Sequence, residues 1–508
     1  MTLNSDKPIQ SLDEAKKRVL CLQRKLHRWS QSDADKRFDD LFNLVCDRTT
    51  LAIAWERVSR NRGSRTAGVD GVSRWHIVNR QGAGKWLEDL RVDLKARTYR
   101  PQRVREQAIP KAGGKMRYLG IPTVRDRVVQ MALKLILEPI FETDFCPTSY
   151  GYRPARRAQD AITEITRYIN PPSSYNYVVE GDIEGCFDNI DHGVLMQQVR
   201  NRIGDCKVLQ LVKAFLRAGV MKESGQLAAT LTGTPQGGII SPLLANIYLT
   251  VLDDRFEREW QHQTRYRGCT TYYRRRGYPT YRLVRYADDF VILVRGTRAQ
   301  AERLRDQAAH LLRAELRMEL SLEKSHITHV DDGFDFLGHH IRRVPWRGRQ
   351  VAWTYPSKKS LEALTRKVRG WTTRSTTYLT LEQLLRHLNP MVRGWTNYFR
   401  YDAAKRTFAY VDHFVWWRVM RWLRKKHPKR NWRYLRKRYC GGKWDIRMGR
   451  ITLFRPHLVK VERYRSRGQR ILLPWMNPDD LGPVGAFARG PADETTYLET
   501  LQLRLAFD

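Results

Sequence analysis

Residues 281–294 read Tyr-Arg-Leu-Val-Arg-Tyr-Ala-Asp-Asp-Phe-Val-Ile-Leu-Val, with two adjacent carboxylates, Asp288 and Asp289, inside a run otherwise suited to a buried hairpin. Branched and aromatic residues favour strands, and an Asp-Asp pair between two such runs falls at a tight turn. Two carboxylates beside apolar strands repel each other and lose hydration. A divalent cation removes both costs, and Mg²⁺ takes one or two carboxylates together with substrate phosphates. The chemistry implied is metal-dependent phosphoryl transfer. The plainer alternative is a hairpin turn in which Asp serves only its turn propensity.

A third carboxylate lies far upstream. Tyr177–Val179 reads as a short strand running into Asp182, with Glu180, Glu184, Asp188 and Asp191 close by in sequence. Asp188 and Asp191 read as caps of a helix around 191–202, which leaves Asp182 as the better metal ligand. Cations stand elsewhere in the chain. A strand–turn–strand over Val104–Ile109 and Met116–Ile121 carries Lys111, Lys115 and Arg117, placed to hold a triphosphate or merely to solvate a hairpin tip. Lys324 is central in the turn Leu320–Ser325, and Pro235-Gln236-Gly237-Gly238 makes a turn that lets another backbone come close.

Positioning these groups needs a mixed scaffold. Ser11 with Glu14 forms a capping box, and a helix is expected from Asp33 to about Arg60 on the stripe Phe38, Leu41, Phe42, Val45, Ile53 and Trp55. Further helices are expected over 82–100, 124–145, up to about Tyr168, from Ser241-Pro242 (Ser241 as the cap) and over 298–318. Residues 264–281 read as a basic surface loop, and 333–341 as a second hairpin. His326, His329, His339 and His340 have no partner cysteines and are read as structural, not as zinc ligands. From about 355 the chain turns helical, with Trp371, Trp395, Tyr398, Phe399, Phe408, Phe414, Trp416, Trp417 and Trp422 at helical spacing, a bundle core.

Composition narrows the partners. The 508 residues carry a net charge of +39, from 92 Lys+Arg against 53 Asp+Glu, interleaved with 15 Trp and 23 Tyr. Such an imbalance is costly unless a polyanion is near, and Arg with aromatics suits phosphate forks and base stacking. Between 401 and 470 there are 22 Lys/Arg against 4 acids. The nucleic-acid contacts singled out are Arg153, Arg156, Arg157, Trp395, Arg424, Lys425 and Arg436. No apolar run approaches the ~18 residues of a membrane span, and the N-terminus lacks a secretory core, so no membrane partner and a cytoplasmic location, at the nucleoid when on DNA, are expected. Seven scattered cysteines without a Cys-x-x-Cys fit a reducing compartment.

The ordered set Lys111…Arg117, Asp182 with Phe187, Pro-Gln-Gly-Gly at 235–238, Tyr-Ala-Asp-Asp at 286–289, Lys324 and Phe-Leu-Gly at 336–338 resembles the reverse transcriptases. Ser149-Tyr-Gly-Tyr-Arg-Pro154, Gly181–His192, Gln236–Leu249, Arg285–Phe290 and Asn389-Pro390…Gly394–Phe399 resemble the blocks of the group II intron-encoded maturase/reverse transcriptases over roughly 35–425.

That resemblance implies an α+β right-hand polymerase. Helical and hairpin fingers with an N-terminal extension would occupy 1–175 and a ferredoxin-like palm 176–350. An all-helical thumb, the maturase domain, would span 351–425, followed by a basic, DNA-binding-like region with a short acidic tail over 426–508. It implies catalysis by Asp182, Asp288 and Asp289, with two Mg²⁺ (Mn²⁺ as a substitute) held by these carboxylates and the Ile183 carbonyl. Lys111 and Arg117 would hold the triphosphate of a dNTP, Gln236 would lie near the nascent pair, the Phe187 ring would exclude a 2′-hydroxyl and Lys324 would steady the nucleotide. Its partners would be intron RNA, an RNA template with a DNA primer, and a DNA target. No cysteine pairs follow the thumb, so the family's C-terminal endonuclease is not expected. Two rival readings are a relative recruited to host defence or repair, and a catalytically silent RNA-binding splicing factor. The three intact aspartates speak against the second.

Overall fold

The computed structural model describes residues 11–110, 116–221, 227–228, 233, 237–266, 268–321, 323–441, 444–468 and 471–476. Lys111, Lys115, Gln236 and the acidic tail lie outside the described residues.

The centre of the molecule is a four-stranded antiparallel sheet in the order Thr280–Tyr286, Asp289–Arg295, Tyr177–Asp182, Ile327–His329. Numbered along the chain this is second, third, first, fourth. The helix Ser241–Gln263 links the first strand to the second, and Arg298–Leu316 links the third to the fourth. This is the βαββαβ arrangement of a ferredoxin-like palm. Strand alternation divides the apolar run between two cores. Phe290, Ile292 and Val294 pack with Leu244, Tyr248 and Leu252 of the first linking helix. Val291 and Leu293 face Ile162, Ile165 and Phe334. Covered on both faces, the strand needs apolar side chains at every position, which is why its sequence reads as unbroken hydrophobicity.

The N-terminal helices build the fingers side. Val124–Phe141 is buried along most of its length and packs against Leu12–Ser32 and Arg48–Arg60. The expected helix from Asp33 begins only at Arg48, after one turn at Phe42–Val45. Tertiary hydrogen bonds override the local periodicity. Phe38 bridges Ile203, and the Asp205 carboxylate accepts from the Leu41 and Phe42 amides at 2.8 and 2.7 Å. The same carboxylate caps Cys206–Arg217 through Lys207 and Val208. Val104–Pro110 and Met116–Ile121 form the expected antiparallel hairpin.

Other boundaries move too. Ser241 is the first helical residue rather than the cap, because Ile240 is already αR, while Pro242 sits in the first turn. Residues 264–281 are not all loop: Gly268, at φ +92°, starts a short helix at Cys269–Arg275. The strand into the site extends from Tyr177 to Asp182, which is therefore its last residue. A second sheet, Phe334–Phe336, His339–Trp346 and Arg349–Pro356, carries the chain from palm to thumb and runs past the expected boundary at 350.

The thumb helices are Lys358–Trp371, Leu381–Phe399 and Lys405–Lys426, joined by buried Leu364, Val368, Leu384, Leu388, Val411, Val415 and Val419. Leu435, Tyr439, Ile446 and Leu453 belong to the same core, so residues just beyond 425 complete the thumb instead of forming a separate unit. Buried His339 and Asp402, 2.7 Å apart, pin the second sheet to the thumb, and Tyr398 donates to the Leu337 carbonyl at 2.9 Å.

Candidate active site

Asp182 ends its strand, Asp289 begins its own, and the two are paired directly across adjacent antiparallel strands. Side chains so paired share one face of the sheet. Ala287 and Asp288 form the turn, and Ala287 is held at φ +60°. The approach of the strand to this turn depends on Gly181: a Cβ there would lie 2.2 Å from the Phe290 ring. Gly151 is equally constrained, its Cβ position falling 2.3 Å from the Ala287 nitrogen.

Electrostatics follow from this crowding. Loss of hydration, then the negative charge of Asp182, raises the Asp288 carboxyl above its ordinary range, while Arg117 and Lys324 pull it back. Desolvation followed by the charges of Asp288 and Asp182 pushes Asp289 up to about 6. The Lys324 ammonium lies 2.5 Å from Asp182 Oδ2, and its own pKa is raised chiefly by that hydrogen bond. Lys324 is brought there by backbone bonds: Ser321 N donates to the Asp182 carbonyl at 2.9 Å, and Glu184 N to Glu319 at 3.0 Å. These two bonds flank the Ile183–Leu320 bridge, so the Ile183 carbonyl points away from Leu320.

A cation already seeks this oxygen cluster, and the donors are the hard oxygens that Mg²⁺ prefers. The residues therefore fit a divalent ion. Among the described residues no group of three His, Cys, Asp or Glu side chains is gathered around one point.

Around the carboxylates, Phe187 is buried at 7% exposure and meets the half-exposed Tyr152 edge-on at 6.2 Å. Tyr152 lies near enough to Asp288 for its hydroxyl pKa to be raised by burial and then by that charge. A Cβ on Gly237 would lie 2.5 Å from the Gly120 carbonyl, and one on Gly233 2.6 Å from the Asp188 carbonyl. Gly237 thus lies against the backbone of the hairpin, and Gly233, just before the Pro235–Gly238 stretch, against that of the segment following Asp182. Asp191 caps its helix as expected, accepting from Val194 N at 2.9 Å.

Sequence reasoning assigned no role to the support beneath the turn. Arg285 is fully buried and forks onto Asp253, with Nε 2.8 Å from Oδ1 and Nη2 2.5 Å from Oδ2. Its Nη1 donates to Asn246 Oδ1 at 3.0 Å and to the Ala287 carbonyl at 2.9 Å. Asn246 in turn donates to the Gly151 carbonyl at 2.9 Å. One guanidinium thus ties the helix Ser241–Gln263 to the turn. An arginine inside an apolar strand was the available signal, because such a charge must find a partner.

Part of the expected nucleic-acid surface dissolves. Arg153 is buried on Glu142 (2.6 Å) and on the carbonyls of Cys146 and Ser149. Arg156 is largely buried over Tyr150 and donates to the Pro147 carbonyl at 2.7 Å. Trp395 packs against Phe399 and Phe408, its indole N–H donating to Ser360. These three are internal fasteners. Arg157, Arg424, Lys425 and Arg436 are exposed.

Comparison with known proteins agrees with this geometry. The profile of reverse transcriptase (RNA-dependent DNA polymerase) matches residues 109–341, and that of the group II intron, maturase-specific domain matches residues 361–440. The chain is similar to Protein YkfC of Escherichia coli (strain K12), 37% identical over 371 residues, 68% of this chain and 97% of that protein. It is 34% identical over 375 residues to the group II intron-encoded protein LtrA of Lactococcus lactis subsp. cremoris, 64% of this chain and 60% of LtrA. A putative COX1/OXI3 intron 2 protein of Saccharomyces cerevisiae is 26% identical over 61% of this chain and 40% of its own length. Among the described residues no helix is long and apolar enough to cross a membrane.

Proposed function

Because the chain belongs to the reverse transcriptases that carry a group II intron maturase-specific domain, we propose that it is an RNA-directed DNA polymerase of a group II intron, with Asp182, Asp288 and Asp289 as its catalytic carboxylates. The observation that carries this is the pairing of Asp182 with Asp289 across adjacent strands beside the Asp288 turn, with the Lys324 ammonium drawn onto Asp182. The family uses divalent metal ions. Held by these carboxylates and the Ile183 carbonyl, two Mg²⁺, or Mn²⁺ in their place, would supply the Lewis acidity that activates a primer 3′-hydroxyl and shields a triphosphate.

The protein's own groups then orient and discriminate. Arg117, already near enough to act on Asp288, and Lys111 hold the triphosphate of the dNTP. Lys324, which now holds Asp182, would steady the incoming nucleotide. Phe187, packed against Tyr152, would exclude a 2′-hydroxyl by the bulk of its ring, and Gln236 is assigned to the nascent pair. The exposed Arg157, Arg424, Lys425 and Arg436 contact nucleic-acid phosphates. The substrates are an RNA template with a DNA primer. The maturase-specific helices bind intron RNA and assist its splicing, and the DNA target receives the copy. The setting is the bacterial cytoplasm.

Primer extension on poly(rA)/oligo(dT) with Mg²⁺ tests the reading. The wild type is expected to extend the primer and Asp288→Ala to fall to background. Equal signal from both proteins would refute polymerase chemistry at this site.

A further inference from the structure

At the far end of the thumb, four tryptophans surround a cavity of about 450 Å³ that the polymerase reading leaves without a role. Trp416 and Trp417 come from the helix Lys405–Lys426, Trp432 from Trp432–Tyr439, and Trp444 from the following loop; Asp412, His413 and Arg455 complete the polar side. The rings do not stack on one another. Trp416 meets Trp417 at 86° (5.1 Å) and Trp444 at 63° (5.9 Å), and Trp417 meets Trp432 at 82° (6.0 Å). Near-perpendicular indoles form walls and leave flat faces to offer. Trp417 and Trp444 keep 37% and 42% of their surface exposed, unusual for rings with a core beside them.

The surroundings select the guest. Arg421, Arg424 and Arg436 lie over Trp417, Trp432 and Trp444 at 6.0, 5.5 and 4.1 Å, outside the cavity lining. Among the described residues the carboxylate lining the wall, Asp412, is already paired with the Arg455 guanidinium at 3.0 Å. A cationic guest is therefore repelled by the rim, whereas a chain bearing phosphates is drawn to it. A flat, uncharged group attached to phosphates matches both features, and its size falls within the range of small-molecule cavities. Paired bases hide their faces in the stack, so only an unstacked base can enter.

We propose that this aromatic box captures an unpaired nucleobase of RNA, holding a bulge or single-stranded junction against the thumb while the guanidinium rim takes the flanking phosphates. RNA is the assigned guest because Trp416, Trp417 and Trp432 lie within the segment matched by the group II intron maturase-specific domain. The inference rests on the RNA-binding part of the function proposed above, but not on polymerase chemistry.

The test uses the full chain and two short RNA hairpins of equal charge, one with a single bulged 2-aminopurine and one fully paired, read by anisotropy and by 2-aminopurine emission. The bulged RNA is expected to bind more tightly and to lose emission as its base stacks on indole. Trp417→Ala should weaken bulged-RNA binding by about tenfold. Its salt slope should not change, since no charge is removed. Trp417→Tyr should retain most of the affinity, and Trp444→Ala, in a loop, repeats the loss if Trp417→Ala disturbs the helix. Extension of oligo(dT) on poly(rA) should be unchanged in every variant. The proposal is overturned if bulged and paired RNA bind alike, or if both alanine variants, with polymerase activity intact, bind the bulge as the wild type does. Loss of polymerase activity in the wild type with bulge recognition intact would refute the function above and leave this box standing.

Discussion

At the residue scale, the site is a set of carboxylates forced together by pairing register and held from beneath by Arg285. The Asp289 carboxyl, pushed up to about 6, sets a pH dependence whose sign can be worked out. Between the ordinary carboxylate range and about pH 6 the folded protein holds a proton that the unfolded chain has released. Without metal, the contribution of this group to stability is therefore present at low pH and lost as pH rises through that window. A divalent ion opposes the loss only where the carboxylates are ionised. Mg²⁺ should raise the melting temperature at pH 7.5 and have little effect at pH 5.0, and Asp288→Ala should abolish the gain. An equal Mg²⁺ shift at both pH values would contradict the assignment. Arg285 makes a second prediction. Arg285→Met strands a buried Asp253 and should cost about 3–5 kcal/mol in chemical denaturation. Arg285→Lys keeps a charge for Asp253 but cannot fork to Asn246 and the Ala287 carbonyl. It should stay folded while losing polymerisation rate, whereas wild-type kinetics would show the turn needs no such support. The aspartates were legible because their type announces their chemistry. The roles of Arg153 and Arg156 were not, since nothing in a basic, aromatic stretch says that Glu142 is folded back onto it.

At the element scale, the decisive object is the hairpin and the strand beside it. Gly181 is needed because the Phe290 ring occupies the space of its Cβ. Gly181→Ala should destabilise the palm by about 1–3 kcal/mol and lower activity by displacing Asp182. Adding Phe290→Leu should restore part of both. If Gly181→Ala alone melts and works like the wild type, the close approach is not what shapes this strand. The hairpin, the linking helices and the thumb helices were readable because apolar periodicity and capping residues agree locally. The periodicity of residues 33–47 predicts helix, but their backbone is claimed by Ile203 and Asp205, more than 150 positions away in sequence. Ser241 was misread by a single residue, since Ile240 adopts helical angles without needing a side-chain cap.

At the scale of the whole molecule, a chain of net charge +39 ties some cations into buried pairs, Arg285 with Asp253 and Arg153 with Glu142, and leaves others such as Arg424 and Lys425 exposed. Charge and aromatic content made nucleic acid the expected partner. They did not reveal that residues beyond 425 finish the thumb core, because buried Leu435, Tyr439, Ile446 and Leu453 are too sparse among arginines to show a period. A chain cut after Lys425 should therefore lose thumb stability, seen as an earlier unfolding transition and faster proteolysis of 358–425. An unchanged transition would mean that the C-terminal segment is only an appendage. The central claim, that Asp182, Asp288 and Asp289 form one centre for templated DNA synthesis, is most directly tested by sequencing the product made from a DNA primer on a heteropolymeric RNA. The wild type should yield complementary DNA, and Asp182→Asn, Asp288→Asn and Asp289→Asn should each reduce yield, on the order of 10²-fold or more for the first two. Untemplated product, or full yield from Asp182→Asn or Asp288→Asn, would contradict it.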